Sequence, residues 1–549
     1  MKRNMRRLDF WTIVISVTVI LALLFIVYPF SRLFIQSFQD KTGAFSLKNY
    51  VKFFSKPYYR NTLRNSFTVC FCTTILATLL GVPLAYLATR FNVWGKRLIN
   101  ILIVMSLMSP PFIGAYSWIL LLGRNGFITN LFSKVGIELG SIYGFKGILL
   151  VFTLKLFPYV YLYVSGALRS MDASLEEASE NLGVSGLKKL LKVTFPVILP
   201  TILSSSLMVF MNSLADFGTP LLIGEGYRVL PVAIYTEYIS EIGGNVTFAS
   251  ALSVLIIICS LVVLIVQRQV VDRRSYQMSG LRPPEVRSLT FGKRLLATAA
   301  LFFVAFVAVL PQITVIVTSF LKTSGPLFVR GWSLDSYRSI FTTYATNIRN
   351  SLVFSSISIV VMVFLGMLAA YAIVRRRSKM TALMDLLLMF PYVIPGAVLG
   401  IGLVVAFNRP PIVLVATPMI MLISYVIRKE PFTLRSSIGI LYQIDPSVEE
   451  ASISLGVPHM RTFFKVTMKQ MLIGTFSGAV LSFVATINEL SSTLILYTGS
   501  TATISVAIFG EVSKNGYGVA AALATILTAI TIIILLIFNK VSNGKSIIG

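Results

Sequence analysis

Metal-ligating and disulfide-forming side chains are scarce in these 549 residues, with one histidine, His459, and three cysteines. Cys70 and Cys72 fall two apart in an apolar run, hence on different helix faces, and Cys259 stands alone. That pattern excludes a disulfide framework and reads as buried thiols. With no nucleophile motif and no metal-ligand cluster, the chain has little with which to be a membrane-embedded enzyme, and it assigns no metal site. Charge is scarce as well, at 13% of residues, and lopsided, with 21 acidic against 48 basic side chains. A phosphate-binding loop is missing: Gly544-Lys545-Ser546 has Asn539 where the first glycine belongs, and no strand precedes it. The outer loops run to only about thirty residues, too short for a domain that captures substrate.

Hydrophobic residues, by contrast, make up 56% of the chain. They form runs long enough for about twelve transmembrane helices of about twenty residues each, so the expected fold is an all-α integral membrane protein. Expected spans include Leu98–Leu122, Val197–Ile223, Ala382–Phe407, Ile412–Leu434 and Met471–Tyr497. The opening MKRNMRRLDF is followed by an apolar run too long for a signal peptide and lacking a cleavage site. Its four basic residues place the N-terminus inside, and with twelve spans both termini are cytoplasmic. The expected inner segments hold the larger share of Lys and Arg, although the first outer loop alone carries six. The net charge of +27 then reflects topology and contact with anionic lipids, not a nucleic-acid partner.

The sequence is written twice. DASLEEASENLGVSGLKKLLKVTFPVILP at 172–200 answers DPSVEEASISLGVPHMRTFFKVTMKQMLI at 445–473, a constant offset of 273. LGVPLAYLATR at 80–90 answers LGMLAAYAIVR at 365–375, an offset of 285; the difference lies in the longer outer loop 123–146. Six spans per copy is an even number, so the copies enter the membrane in the same orientation as a parallel repeat. Residues 1–267 form the first repeat, the basic, proline-containing 268–294 a cytoplasmic linker, and 295–549 the second repeat.

In each copy of the inner loop a short helix opens on Glu-Ala-Ser, and six residues after the glutamate comes a glycine able to turn the backbone. A second amphipathic helix, Leu187 to Val193, follows with Lys188, Lys189 and Lys192. The plain alternative is a loop helix lying on lipid head groups, which recurrence in register disfavours. Glu177, Ala178, Ser179 and Gly183, and Glu450, Ala451, Ser452 and Gly456, resemble the E-A-A-x-x-x-G motif of binding-protein-dependent ABC importer permeases. Both copies have Ser at the third position, and Lys469 stands where the family pattern has the proline seen at Pro196. The resemblance implies a type I importer transmembrane domain, fused here into a pseudo-dimer in the bacterial inner membrane. It implies two copies of a cytoplasmic ABC ATPase, one on each loop, that bind ATP and Mg while this chain binds no cofactor. It also implies a separate extracytoplasmic solute-binding protein.

Charges inside spans are costly and mark pathways. Lys155 corresponds to Arg428, each three residues before a proline, Pro158 and Pro431; Lys429 and Glu430 adjoin the second. Asp216 corresponds to Glu489, with Asn212 and Asn488 nearby. Because proline frees backbone carbonyls, which membranes tolerate where a cavity is lined, these residues suggest a translocation path among spans 4, 5, 10 and 11. Structural ion pairs that merely neutralise Lys155 and Arg428 are the alternative, and both descriptions can hold. LADFGTPLLIG at 214–224 and TLRSSIGILYQIDPSVEEASISLG at 433–456 resemble the ferric-iron subgroup of these permeases. Fe(III) prefers oxygen ligands, while Lys155, Arg428 and Lys429 favour an anion. The resemblance implies ferric iron as cargo, with a phosphonate or sugar phosphate, a polyamine or thiamine as alternatives. An ion-driven secondary transporter is the reading from a different class, and it gives no reason for two Glu-Ala-Ser loops.

Overall fold

The computed structural model describes residues 9–107, 111–240, 244–272, 284–325 and 327–541. The chain is almost wholly helical; the strands among the described residues are one antiparallel pair, Leu321–Ser324 with Leu327–Trp332. Among the described residues, eight helices are long and apolar enough to cross a membrane, and ten spans result if each of two bent pairs counts as one. The two further expected spans have identifiable reasons for falling short. Leu98–Leu122 is represented by helices Lys96–Leu107 and Pro111–Leu122, which flank residues outside the described set. Ile412–Leu434 lies largely in the helix Pro418–Gln443, which carries Arg428, Lys429, Glu430 and Arg435. The expected span Ala382–Phe407 is one of the bent pairs: Lys379–Val393 and Gly396–Phe407 meet at 114°. Pro391 and Pro395 sit at that bend, where neither ring allows a continuous helix.

Two compact units divide the chain, one built from Lys52–Thr236 and Leu255–Thr318, the other from residues up to Val51, Glu237–Val254 and Ser319 onward. The first packs Pro57–Arg90, Phe145–Ser170 and Phe195–Ala215 together, and its core takes in Ala297, Leu301, Ala305 and Ala308 of the helix Phe291–Ser319. The second packs Ala345–Arg375, Pro418–Gln443 and Met468–Ile487, and its core takes in Trp11 and Val19 of the helix Phe10–Ala22. Trp11 stacks on Tyr371 at 4.2 Å and meets Phe463 edge-on at 5.0 Å, while Asp9 pairs with Arg376 at 3.4 Å. Each unit thus contains the leading span of the other sequence repeat.

Between apolar helices in lipid, association depends on close packing rather than on release of water. Gly81 shows how the first unit achieves it: a Cβ there would sit 2.8 Å from the Val160 Cβ. Gly366, its counterpart at offset 285, would meet Glu430 at 2.9 Å and Thr433 at 3.2 Å. Thr433 is itself the counterpart of Val160, so the same helix crossing is built twice.

Candidate functional site: two capped loops and two broken helices

The first inner-loop helix runs Ala173–Asn181 and the second Pro446–Ser454. Both begin on an aspartate cap: the Ser174 N–H donates to Asp172 and the Ser447 N–H to Asp445, each at 2.9 Å. That backbone donation to Asp445 holds its carboxyl below the usual carboxylate range. Both end on a left-handed glycine, Gly183 at φ +79° and Gly456 at φ +81°. The Gly183 N–H reaches the Glu180 carbonyl and the Val184 N–H the Ser179 carbonyl, each at 2.9 Å; Gly456 and Val457 repeat this on Ile453 and Ser452. This double bond satisfies the last carbonyls of a helix and requires a residue tolerant of positive φ. The expected glycine turn is therefore present in both copies.

Helical phase decides which glutamate faces where. Glu177, Ala178 and Gly183, like Glu450, Ala451 and Gly456, are exposed. Glu176 and Glu449, one residue earlier, turn inward. Glu176 pairs with Arg90 at 2.8 Å and Lys189 at 3.3 Å, and Glu449 pairs with Arg375 at 3.1 Å and accepts the Tyr371 hydroxyl at 2.9 Å. Arg90 and Arg375 are counterparts at offset 285, and each ends the long helix of its repeat's second span. An inward carboxylate on the arginine at the foot of a span ties the loop to the helix. Sequence reading missed these two pairs, although the arginines and glutamates lie in the very stretches whose repetition it used.

The third motif position is buried in part: the Ser179 hydroxyl donates to the Glu176 carbonyl at 2.8 Å, and Ser452 bonds Thr462 at 3.0 Å. Leu182 and Leu455, another counterpart pair, are 82% and 85% exposed beside the motif glutamates. His459 is exposed.

The copies also differ in their ion pairs. Lys189 is buried and joins Glu176 to Glu180, at 2.7 Å from the latter, and Arg287 of the linker reaches Glu180 at 2.6 Å. Lys189 and Arg287 together depress the Glu180 carboxyl to about 2. Arg287 is also fixed by its backbone, its N–H donating to the Arg90 carbonyl at 2.9 Å. The amphipathic helix expected over Leu187 to Val193 is instead Gly186–Lys189 followed by a π-helical turn, Leu190–Thr194, that runs straight into Phe195–Ala215. An identical π turn, Phe463–Thr467, leads into Met468–Ile487 in the second copy. Pro196 and Lys469 thus follow the same exit geometry.

Inside the spans the repeat-related charges come together within each unit. Lys155 lies 2.8 Å from Asp216, and Glu489 is gripped by both Arg428 and Lys429, the latter at 2.8 Å. Both acids sit where a helix breaks. Phe195–Ala215 stops at Asp216, whose carboxylate accepts the Thr219 N–H at 3.1 Å ahead of the short helix Gly218–Ile223. Met468–Ile487 stops before Glu489, whose carboxylate accepts the Ser492 N–H at 3.1 Å ahead of Thr493–Leu496. The expected continuous spans Val197–Ile223 and Met471–Tyr497 are therefore interrupted. Helix interruptions at membrane depth persist where protein buries them or a cavity is lined, and here the acids satisfy the freed donors. By contrast, the helices holding Pro158 and Pro431 run on past the prolines. Asn212 and Asn488 donate to carbonyls of their own helices, Met208 at 2.8 Å and Val484 at 2.9 Å. Glu430 does not join this group. Among the described residues, no three His, Cys, Asp or Glu gather as a metal site.

The family model "Binding-protein-dependent transport system inner membrane component" matches residues 77–276 and again 362–545. The Ferric transport system permease protein FbpB of Actinobacillus pleuropneumoniae is 29% identical over 539 residues, covering 96% of this chain and 78% of its own. The Fe(3+)-transport system permease protein FbpB 2 of Haemophilus influenzae is 28% identical, covering 95% of this chain and 96% of its own. A solved bacterial ABC transporter involved in the import of the acidic polysaccharide alginate aligns with 47% of this chain and 93% of its own, at 16% identity and a TM-score of 0.39. Since that model spans both copies of the capped loop, the chain belongs to the inner-membrane components of binding-protein-dependent transport systems, as a multi-pass permease whose two copies are fused in one polypeptide.

Proposed function

We propose that this permease is the translocating subunit of an ATP-driven importer of ferric iron, with both termini cytoplasmic. Two partner ATPases dock on the loops at Glu177, Ala178, Ser179 and Gly183 and at Glu450, Ala451, Ser452 and Gly456, and they supply the ATP and Mg chemistry. The observation that carries this reading is the pair of loop helices with the same caps, the same inward glutamate on an arginine and the same outward leucine. Closure of the ATPases on ATP pulls the two loops, the Arg90 and Arg375 contacts pass the movement to the long helices, and the permease alternates between inward- and outward-open states. A solute-binding protein delivers the cargo from outside.

The intramembrane charges Lys155, Asp216, Arg428, Lys429 and Glu489, with Asn212 and Asn488, belong to the pathway in this reading. Their support is the interruption of two spans at the acids themselves, the form that membrane transporters give to binding sites. Ferric cargo is supported by the names of relatives that align along nearly the whole chain. Two cations on the single carboxylate of Glu489 favour a second reading, an anionic phosphorylated solute, or a ferric ion travelling with its anion.

Proteoliposomes holding the permease and its ATPase test the proposal. Labelled ferric iron presented with its binding protein should accumulate only with internal ATP and Mg, and persist when proton and sodium gradients are collapsed. Uptake that follows an ion gradient without ATP would contradict the energy source, and competition by a phosphonate or sugar phosphate would move the cargo to the second reading.

A further inference from the structure

Among the described intramembrane acids, Glu430 is the one without a cation. It is 2% exposed and neither carboxylate oxygen has a hydrogen-bond partner. A lone buried carboxyl in an apolar setting is costly, and proteins retain such groups where they serve a purpose. Packing does not call for an acid here. The counterpart of Glu430 in the first repeat is Phe157, fully buried in the core of its unit, although the flanking residues Lys155 and Pro158 match Arg428 and Pro431.

Glu430 lines a cavity of about 360 Å³ within the second unit, walled by the helices Phe10–Ala22, Ala345–Arg375 and Pro418–Gln443 and by residues between them. Phe25, Ile26, Leu365 and Ile427 give it apolar walls. Ser358, on the same wall, is fully buried with an unpartnered hydroxyl. No Lys, Arg or His contributes to the lining, because Arg428 and Lys429 are held by Glu489. Val361 and Met419, also of the lining, are exposed, Val361 on the membrane-spanning helix Ala345–Arg375, so entry is from the bilayer. A cavity of this size with few polar groups set in apolar walls is the usual form of a small-molecule site.

We propose that this cavity is a binding site for a lipophilic primary amine that enters from the membrane. Its ammonium group donates to the Glu430 carboxylate, and its hydrocarbon body fills the apolar walls. Hydrocarbon alone would leave the carboxyl unanswered, and only a basic group can form an ion pair with it, so complementarity selects the amine. The site stands apart from the transport reading: it uses neither the loops nor the Lys155–Asp216 and Arg428–Glu489 pairs.

The full-length permease in lipid nanodiscs tests this with three probes of equal tail, dodecylamine, dodecanol and dodecanoate. Modification of Glu430 by the hydrophobic reagent dicyclohexylcarbodiimide, read by peptide mass, should be slowed about ten-fold by dodecylamine and left unchanged by the other two. Native mass spectrometry should show a dodecylamine adduct on the wild type that is lost in Glu430→Gln. Val361→Trp, which obstructs the mouth and keeps the acid, should lose it too, and it carries the test should Glu430→Gln fail to accumulate. Equal protection by dodecanol, a Glu430 that dicyclohexylcarbodiimide does not modify, or adducts retained in the variants would each overturn the proposal.

Discussion

At the residue scale, the loops depend on two glycines whose requirement is conformational alone. A Cβ on Gly183 or Gly456 meets nothing within 4 Å, so the cost of a side chain is the left-handed backbone, about 1–2 kcal/mol. Gly183→Ala should therefore raise amide exchange at the end of Ala173–Asn181, and Gly183→Asn should do so less, because asparagine tolerates that region. Equal exchange in both variants would show that the turn does not limit the helix. The inward glutamates allow a sharper comparison. Arg90→Gln leaves Glu176 with Lys189, whereas Arg375→Gln leaves Glu449 with only the Tyr371 hydroxyl. Stripping a buried carboxylate of its cation costs about 3–5 kcal/mol, so Arg375→Gln should impair ATPase-coupled transport more than Arg90→Gln. A reversed order would remove these arginines from the coupling route. Glu180 sets a pH window. Its depressed carboxyl contributes stability that is present above the ordinary value of 4.5 and is lost as pH falls toward about 2. Exchange in Ala173–Asn181 should rise across that interval and not above it, and Glu180→Gln should abolish the dependence.

At the element scale, the loops were readable because the same stretch occurs twice, and repetition separates a functional helix from an ordinary one. What repetition could not give was helical phase. Glu176 and Glu177 are adjacent, and only the position of Arg90 decides which turns inward. Leu182 and Leu455 carry no signal of their own for a related reason: a hydropathy reading buries leucine, and these two are exposed. The breaks at Asp216 and Glu489 were hidden because Val197–Ile223 and Met471–Tyr497 are apolar enough on average to read as continuous spans. The acids themselves were legible as paired charges, and their pairing with Lys155 and Arg428 is present, while Glu430 has no hydrogen-bond partner. Since Glu489 holds two cations and Asp216 one, Glu489→Gln should reduce transport more than Asp216→Asn at matched membrane levels. Equal losses would argue that the two centres do the same work whatever their charge.

At the scale of the whole molecule, the duplication and the compact units follow different boundaries. The helix Phe10–Ala22 contributes to the core that holds Tyr371 and Phe463, and Phe291–Ser319 to the core that holds Leu156 and Ile198. Hydropathy reports only that each span is apolar, and partner choice between spans so distant in sequence has no local signature. Neither half of the chain can complete a unit alone. Split within the linker 268–294, the two halves should accumulate in membranes only when expressed together, and a half stable by itself would contradict the exchange of leading spans.

The central claim is that two loops each hold one ATPase, and stoichiometry tests it most directly. Native mass spectrometry of the assembled transporter should find two ATPase subunits on the wild-type permease and one on either Gly183→Arg or Gly456→Arg. The double variant should carry none while its own chain remains folded in the membrane. A double variant that still carries both subunits would contradict the account.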